Sequence, residues 1–248
     1  MKFLTPILLL LMALSLVSCD KESEEIQTQE LDLEIDPSIT DSIYFTLDNK
    51  TYSSNIMDGF GFANKQTNIK PYTNVINSRE AAYITGGYWW YGEKDSLLFE
   101  QTFSFKSPEF SNISLGVSQK YATKELLQKS NLLIPDTNDT AFKVGPQAFA
   151  IDNNLENSTY GISLTLSHLQ QGKSLTTSIP AFSILLRSDL DKNLQDDAYF
   201  EIISIDSLQN NILQVEARFE ANMYTEEGKS HRLTDGYVRF KTKLNYLK

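Results

Sequence analysis

From Leu213 to Met223 apolar and polar residues alternate without a break. Leu213, Val215, Ala217, Phe219, Ala221 and Met223 stand against Gln214, Glu216, Arg218, Glu220 and Asn222. A period of two predicts a long strand with one buried and one wetted face. Glu226-Glu227-Gly228-Lys229 then turns the chain, and Thr234-Asp235-Gly236 kinks it. Val238, Phe240 and Leu244 return against Arg239, Lys241 and Lys243. Setting Glu216 and Glu220 opposite Arg239 and Lys241 would give cross-strand ion pairs of modest worth.

Weaker copies of this pattern fill the rest of the chain. Ile43 to Leu47 reads as a strand, Asp48-Asn49-Lys50 as a tight turn, and Thr51 to Ser53 as the return. Asn tolerates positive φ, which suits a hairpin there. Residues 55–80 are rich in Asn, Gly, Ser and Thr and read as loop. Ala81 to Trp90 and Leu97 to Phe105 read as strands joined through Gly92-Glu93-Lys94-Asp95, with Ile113 to Val117 after them. Thr123, Glu125, Leu126, Leu127 and Lys129 predict one short helix capped by Thr123. Phe142 to Ile151 resumes as strand, with Pro146 marking an edge or bulge. Tyr160 to His168 alternates, with Ile162, Leu164 and Leu166 on one face; Phe182 to Leu186 and Phe200 to Ile205 are brief strands. The expected fold class is all-β, an antiparallel hairpin array closing into a sandwich or barrel-like domain.

The N-terminus departs from this rhythm. Lys2 precedes an apolar run from Ile7 to Val17, broken only by Ser15. That run falls well short of the ~20 residues a helix needs to cross a bilayer, so it reads as a signal-peptide core. Leu16-Val17-Ser18-Cys19 ends it, and Cys19 is the one cysteine in 248 residues. The four residues resemble the bacterial lipoprotein lipobox. The resemblance implies cleavage before Cys19, diacylation of its thiol and acylation of the new amine. Each buried methylene adds about 0.8 kcal/mol of membrane affinity, so two or three chains form a stable anchor. Residues 20–40 carry eight acids against one lysine and hold no aromatic residue. Such a segment cannot bury enough apolar surface to order itself, so it reads as a disordered tether. The expected organisation is a signal peptide over 1–18, a lipidated tether over 19–40 and a β-rich domain over 41–248. A division near 135–141 is the alternative.

Charge narrows the partners. Removing residues 1–18 takes Lys2 and no acid, so a formal charge of −10 becomes −11. An anionic surface of this kind disfavours nucleic acid and polybasic membrane contact alike. Membrane attachment is therefore expected through the lipid on Cys19. With that thiol acylated, neither a disulfide nor a thiolate metal site can form.

A wider resemblance rests on three pieces: Tyr44-Phe45-Thr46-Leu47-Asp48-Asn49-Lys50-Thr51-Tyr52, Gln171-Gly172-Lys173-Ser174-Leu175-Thr176-Thr177, and Gln214 to Phe219 with Leu233-Thr234-Asp235-Gly236-Tyr237-Val238. Together these resemble the small β-rich lipoproteins of Gram-negative gut and marine bacteria. The family often has Gly where this chain has Asn49, and a Gly expected before Phe219 is missing. The resemblance implies an open β-sandwich or barrel on a lipid tether and no particular reaction. Acids directly after the lipid cysteine also resemble a surface-export signal, which implies the outer membrane and its external face, with the periplasmic face as the alternative; in other lineages Asp directly after the cysteine favours retention at the inner membrane instead.

Candidate chemistry is thin. Asp189, Asp191, Asn193, Gln195 and Asp197 space oxygen ligands as calcium loops do, but Leu194 sits where the turn glycine belongs and Phe200 where the twelfth-position Glu belongs. A polar loop is the better reading, and no cofactor is expected. His168 and His231 form no ligand pair, and no Gly-x-Ser-x-Gly turn occurs. Glu100, Glu201, Glu216 and Glu220 are the carboxylates that a glycosidase pair could draw on. Glu216 and Glu220 fall on a wetted face, so no catalytic residue is assigned. The remaining feature is Tyr88-Trp89-Trp90-Tyr91, which alternates aromatic rings to both sides of a strand. An exposed ring pair there would stack on sugars or on a protein partner. The sequence thus points to a lipid-anchored envelope protein that binds a glycan or a protein. The alternatives are an assembly lipoprotein without a soluble ligand and a carbohydrate-active enzyme.

Overall fold

The computed structural model describes residues 41–66, 70–71, 84–85, 88–89, 95–129, 132–135, 142–167, 173–181, 188 and 190–243. Cys19, the expected signal peptide over 1–18 and the acidic segment lie outside them, as do Phe182 to Leu186, and all that is described belongs to the unit Asp36–Lys248. The fold is all-β, an antiparallel sheet curled strongly into a half-barrel. In chain order the strands are β1 (Ser42–Leu47), β2 (Lys50–Ser54), β3 (Met57–Gln66), β4 (Lys70–Pro71), β5 (Ile84–Thr85), β6 (Tyr88–Trp89), β7 (Ser96–Phe105) and β8 (Asn112–Ala122). They continue as β9 (Leu126–Lys129), β10 (Leu132–Pro135), β11 (Gly145–Gln147), β12 (Gly161–Ser167), β13 (Ser174–Thr176), β14 (Tyr199–Leu208), β15 (Ile212–Tyr224) and β16 (Ser230–Lys243).

The main sheet runs β2-β1-β16-β15-β13-β12-β8-β7-β3, with β14 paired to β15 and β11 to β14. Its long hairpin is the predicted one. Leu213, Val215, Ala217, Phe219, Ala221 and Met223 are all buried, and Glu216 stands opposite Arg239. Lys241 faces Gln214 instead of Glu220, because antiparallel strands run in opposite directions from the Glu216–Arg239 pair; a bulge falls between Phe219 and Ala221, and Glu220 pairs with Arg232 at 2.8 Å. Asp235 (φ 52) sits at that bulge, which is the kink read from Thr234-Asp235-Gly236. The β1–β2 turn holds Asp48 and Asn49 at φ 50 and 64, a two-residue turn whose twist suits a hairpin.

Inside the half-barrel, side chains from both flanks meet. Phe103 of β7 lies 4.2 Å, centroid to centroid, from Phe240 of β16, and Phe142 packs beside both. Ile113, Leu115, Ile162, Leu164 and Leu166 close the same core. Strands from before and after residues 136–141 are thus neighbours in one sheet around one core.

Three expectations are corrected. Residues Met57–Gln66 form a ten-residue strand where a loop was read; Phe60 and Phe62 stand opposite Phe103 and Gln101, and Phe62 stacks on Phe99. The short helix is one 3-10 turn, Thr123–Glu125, and Leu126–Lys129 is strand. Pairing with β10 and burial of Leu126 beside Ile134 outweigh the helix propensity of four residues. Asn64 docks that hairpin: its amide accepts from Leu133 N–H (2.8 Å) and donates to Leu133 C=O (2.7 Å). Finally, Ala81 to Trp90 is not one strand. Ile84 pairs with Trp89 and Thr85 with Tyr88, two antiparallel pieces with Gly86-Gly87 between them in sequence.

Candidate binding cleft

At one end of the half-barrel the turns that close β1–β2 and β15–β16 border a cleft of about 550 Å³. Its floor is apolar: Leu47, Tyr52, Phe110, Leu166 and Leu175. The Tyr52 and Phe110 rings lie 4.9 Å apart, both against Phe45 of the core. Lys50 Nζ lies over the Tyr52 ring, 4.8 Å from its centroid. Strand alternation explains the arrangement. Tyr52 stands opposite Phe45 across the hairpin, so both project to the same face.

The rim is charged with both signs. Asp48 Oδ2 and His231 Nδ1 are 2.6 Å apart, tying the β1–β2 turn to the start of β16. Lys173 Nζ reaches Glu227 at 3.7 Å, tying β13 to the β15–β16 turn. Lys229 completes the rim. A hydrogen bond from the Thr225 side chain, reinforced by backbone donors and Lys173, holds the Glu227 carboxyl below its usual range. That turn is itself tight: Thr225 Oγ1 accepts from Lys229 N–H, and Gly228 takes φ 80. The cleft therefore offers aromatic faces below, carboxylate acceptors and ammonium donors above. Its volume falls within the ~300–1,000 Å³ of ordinary small-ligand pockets.

Asp48, Tyr52, Lys173 and Leu175 lie in the pieces that carry the family resemblance, but no residue of the cleft is singled out for binding in the sequence. The cleft residues come from five separate stretches of chain, so no local spacing announces them; the only signals were the turn chemistry of Asp48-Asn49 and Glu227-Gly228. Of the aromatic strip, the backbones of Tyr88 and Trp89 form β6 against Lys70 and Pro71 of β4. Trp90 and Tyr91 lie outside the described residues.

The oxygen-rich loop has structural work. Gln195 inserts its amide where β14 and β13 diverge along β15: it accepts from Asn222 N–H at 2.9 Å and donates to Thr177 C=O and Asn222 C=O. Asp197 accepts from Asn222 Nδ2 (2.6 Å) and lies 3.4 Å from Arg232. Those donors, Asn222 first, lower the Asp197 carboxyl. Asp191 accepts the Lys192 N–H, Asn193 is exposed, and Asp189 lies outside the described residues. Among the described residues no three His, Cys, Asp or Glu side chains cluster as a metal site.

The four glutamates separate as well. Glu201 is exposed opposite Arg218. Glu216 accepts from Tyr237 Oη at 2.7 Å, and Tyr237, stacked 5.3 Å from Tyr44, has its phenol pushed up to about 12 by burial and by that carboxylate. Glu220 binds Arg232. Glu100 is buried beside Lys65. Comparison with protein-family models, with curated proteins and with solved structures gave no match.

Proposed function

We propose that the chain is a lipid-anchored, non-catalytic binding module of the bacterial cell envelope, with a glycan as the ligand of the end cleft. The anchor reading rests on the apolar run ending in Leu16-Val17-Ser18-Cys19. The acidic residues that follow favour the outer membrane and its external face.

One observation carries the binding reading: an aromatic floor beneath a rim of mixed charge. Tyr52 and Phe110 suit the apolar face of a sugar ring. Sugar hydroxyls donate and accept at once, so a rim holding Asp48 and Glu227 beside Lys173 and Lys229 satisfies both roles. A rim of one sign would instead select an ion. A protein partner needs roughly 800 Å² of matched face, which an end cleft does not provide by itself.

Calorimetric titration of the full chain against a panel of envelope, host and plant oligosaccharides tests this. Tyr52→Ala is expected to weaken the bound glycan at least tenfold, a loss of about 1.4 kcal/mol. Lys229→Ala, on the exposed rim, leaves the fold intact and weakens binding less. Unchanged affinity in both variants would overturn the reading, and loss only on replacing Trp89 and Trp90 would move the site to the aromatic strip. Cys19→Ser is expected to shift the protein from the membrane fraction to the soluble one.

A further inference from the structure

On the face of β7 and β8 opposite the core, small residues make a hollow: Gly61, Ala63, Thr102, Gly116, Ser118 and Ser163 occupy neighbouring registers. Into it project Lys65 of β3 and Glu100 of β7, their side chains only 15% and 10% exposed, with Nζ 2.8 Å from Oε2. The pairs Lys106–Asp58, Lys173–Glu227, Lys192–Glu156, Arg232–Asp197 and Arg232–Glu220 are all more exposed. A buried pair of this kind gives back little stability after its desolvation cost, so its presence calls for another account.

The third member supplies one. Asn153, 7% exposed, comes from the turn that follows residues 148–150, which run beside β12 through Ala150 N–H to Ile162 C=O and Ile162 N–H to Ala148 C=O. Its Oδ1 accepts from Lys65 Nζ at 2.9 Å, and its Nδ2 donates to Ser163 Oγ at 3.1 Å. The amine is therefore hydrogen-bonded to the carboxamide oxygen it would have to approach, beside a carboxylate, in a site largely closed to water. Reacting groups held in contact this way gain the large rate advantage of intramolecular reactions. The neighbouring Asp152 pins the turn by accepting from the N–H and hydroxyl of both Ser158 and Thr159. Gly116 keeps the space free: a Cβ there would collide with Ser163 Oγ and press on Glu100 Oε2.

We propose that Lys65 and Asn153 form an intramolecular isopeptide bond, with Glu100 as the catalytic acid–base. Glu100 takes a proton from the Lys65 ammonium along their hydrogen bond, and the freed Nζ attacks Cγ of Asn153. The new C–N bond forms as Glu100 delivers the proton to Nδ2. The old C–Nδ2 bond breaks, ammonia departs with Nζ's second surplus proton as ammonium, and Glu100 returns to carboxylate. No oxidant, metal or cofactor is needed. The bond would tie the edge strand β3 to a turn 88 residues away. It would supply the covalent staple that a single, lipidated cysteine cannot.

Tryptic digestion of the full, folded chain and mass spectrometry of its peptides decide the matter. The expected result is a branched peptide joining the Lys65 and Asn153 segments, lighter than their sum by one ammonia. It should vanish in Glu100→Gln and in Asn153→Ala, with circular dichroism confirming the β-sheet in each. Recovery of Lys65 and Asn153 in separate linear peptides from the folded wild-type protein would overturn the proposal, whatever the variants do.

Discussion

Single residues carry constraints here that composition hides. Gly161 takes φ 134, and a Cβ on it would run into the Ala148 carbonyl, which receives the Ile162 N–H. Gly161→Ala is therefore expected to cost roughly 2–4 kcal/mol through strain and a lost strand contact, read from urea unfolding. Asp152 makes a second case. Burial alone would raise its carboxyl, but the hydrogen bonds from Ser158 and Thr159 outweigh it and hold the group below 3.8. A depressed folded value gives stability that is present above the unfolded value and lost as pH falls through the folded one. Asp152→Asn should thus be destabilised at neutral pH by about 1–3 kcal/mol. The gap to wild type should narrow only below about pH 3.8. A gap that is constant with pH would contradict the assignment. Neither residue was legible in sequence, since a Gly or an Asp in a polar stretch does not say what it will touch.

Elements were legible where burial repeats along one strand. β15 and β16 could be read from alternation alone, as could β12, because a one-residue slip would drive their apolar sets into water. β3 was missed because Gly59, Gly61, Asn64 and Lys65 dilute its pattern, while the stacking of Phe62 on Phe99 comes from across the sheet. β9 was misread because four residues show no period, and Leu126 is buried while Leu127 is exposed only once β10 lies beside them. The fork at β15 shows how an element end is sealed. Between Glu220, which pairs with β14, and Tyr224, which pairs with β13, the backbone of Asn222 bonds to the Gln195 side chain. Gln195→Ala should cost about 1–2 kcal/mol. It should also speed amide exchange at Asn222 well beyond that at Ala217, which lies deep in the ladder; equal protection of both amides would contradict a sealing role.

For the whole molecule, one half-barrel with a continuous core presents its ends, not its faces, as places where turns can diverge. The cleft arises because the hairpins β1–β2 and β15–β16 end at the same rim, joined by Asp48 and His231. That convergence depends on topology, which pairs β1 at the start of the described chain with β16 at its end, and no motif of neighbouring residues encodes it. The proposed glycan site is tested most directly by hydrogen–deuterium exchange of the full chain with and without a saturating oligosaccharide. The account predicts added protection in three segments at once: the β1–β2 hairpin around Tyr52, the connection around Phe110, and the β15–β16 turn from Thr225 to His231. Saturable binding with protection confined to other segments, or no saturable binding across the oligosaccharide panel, would contradict it.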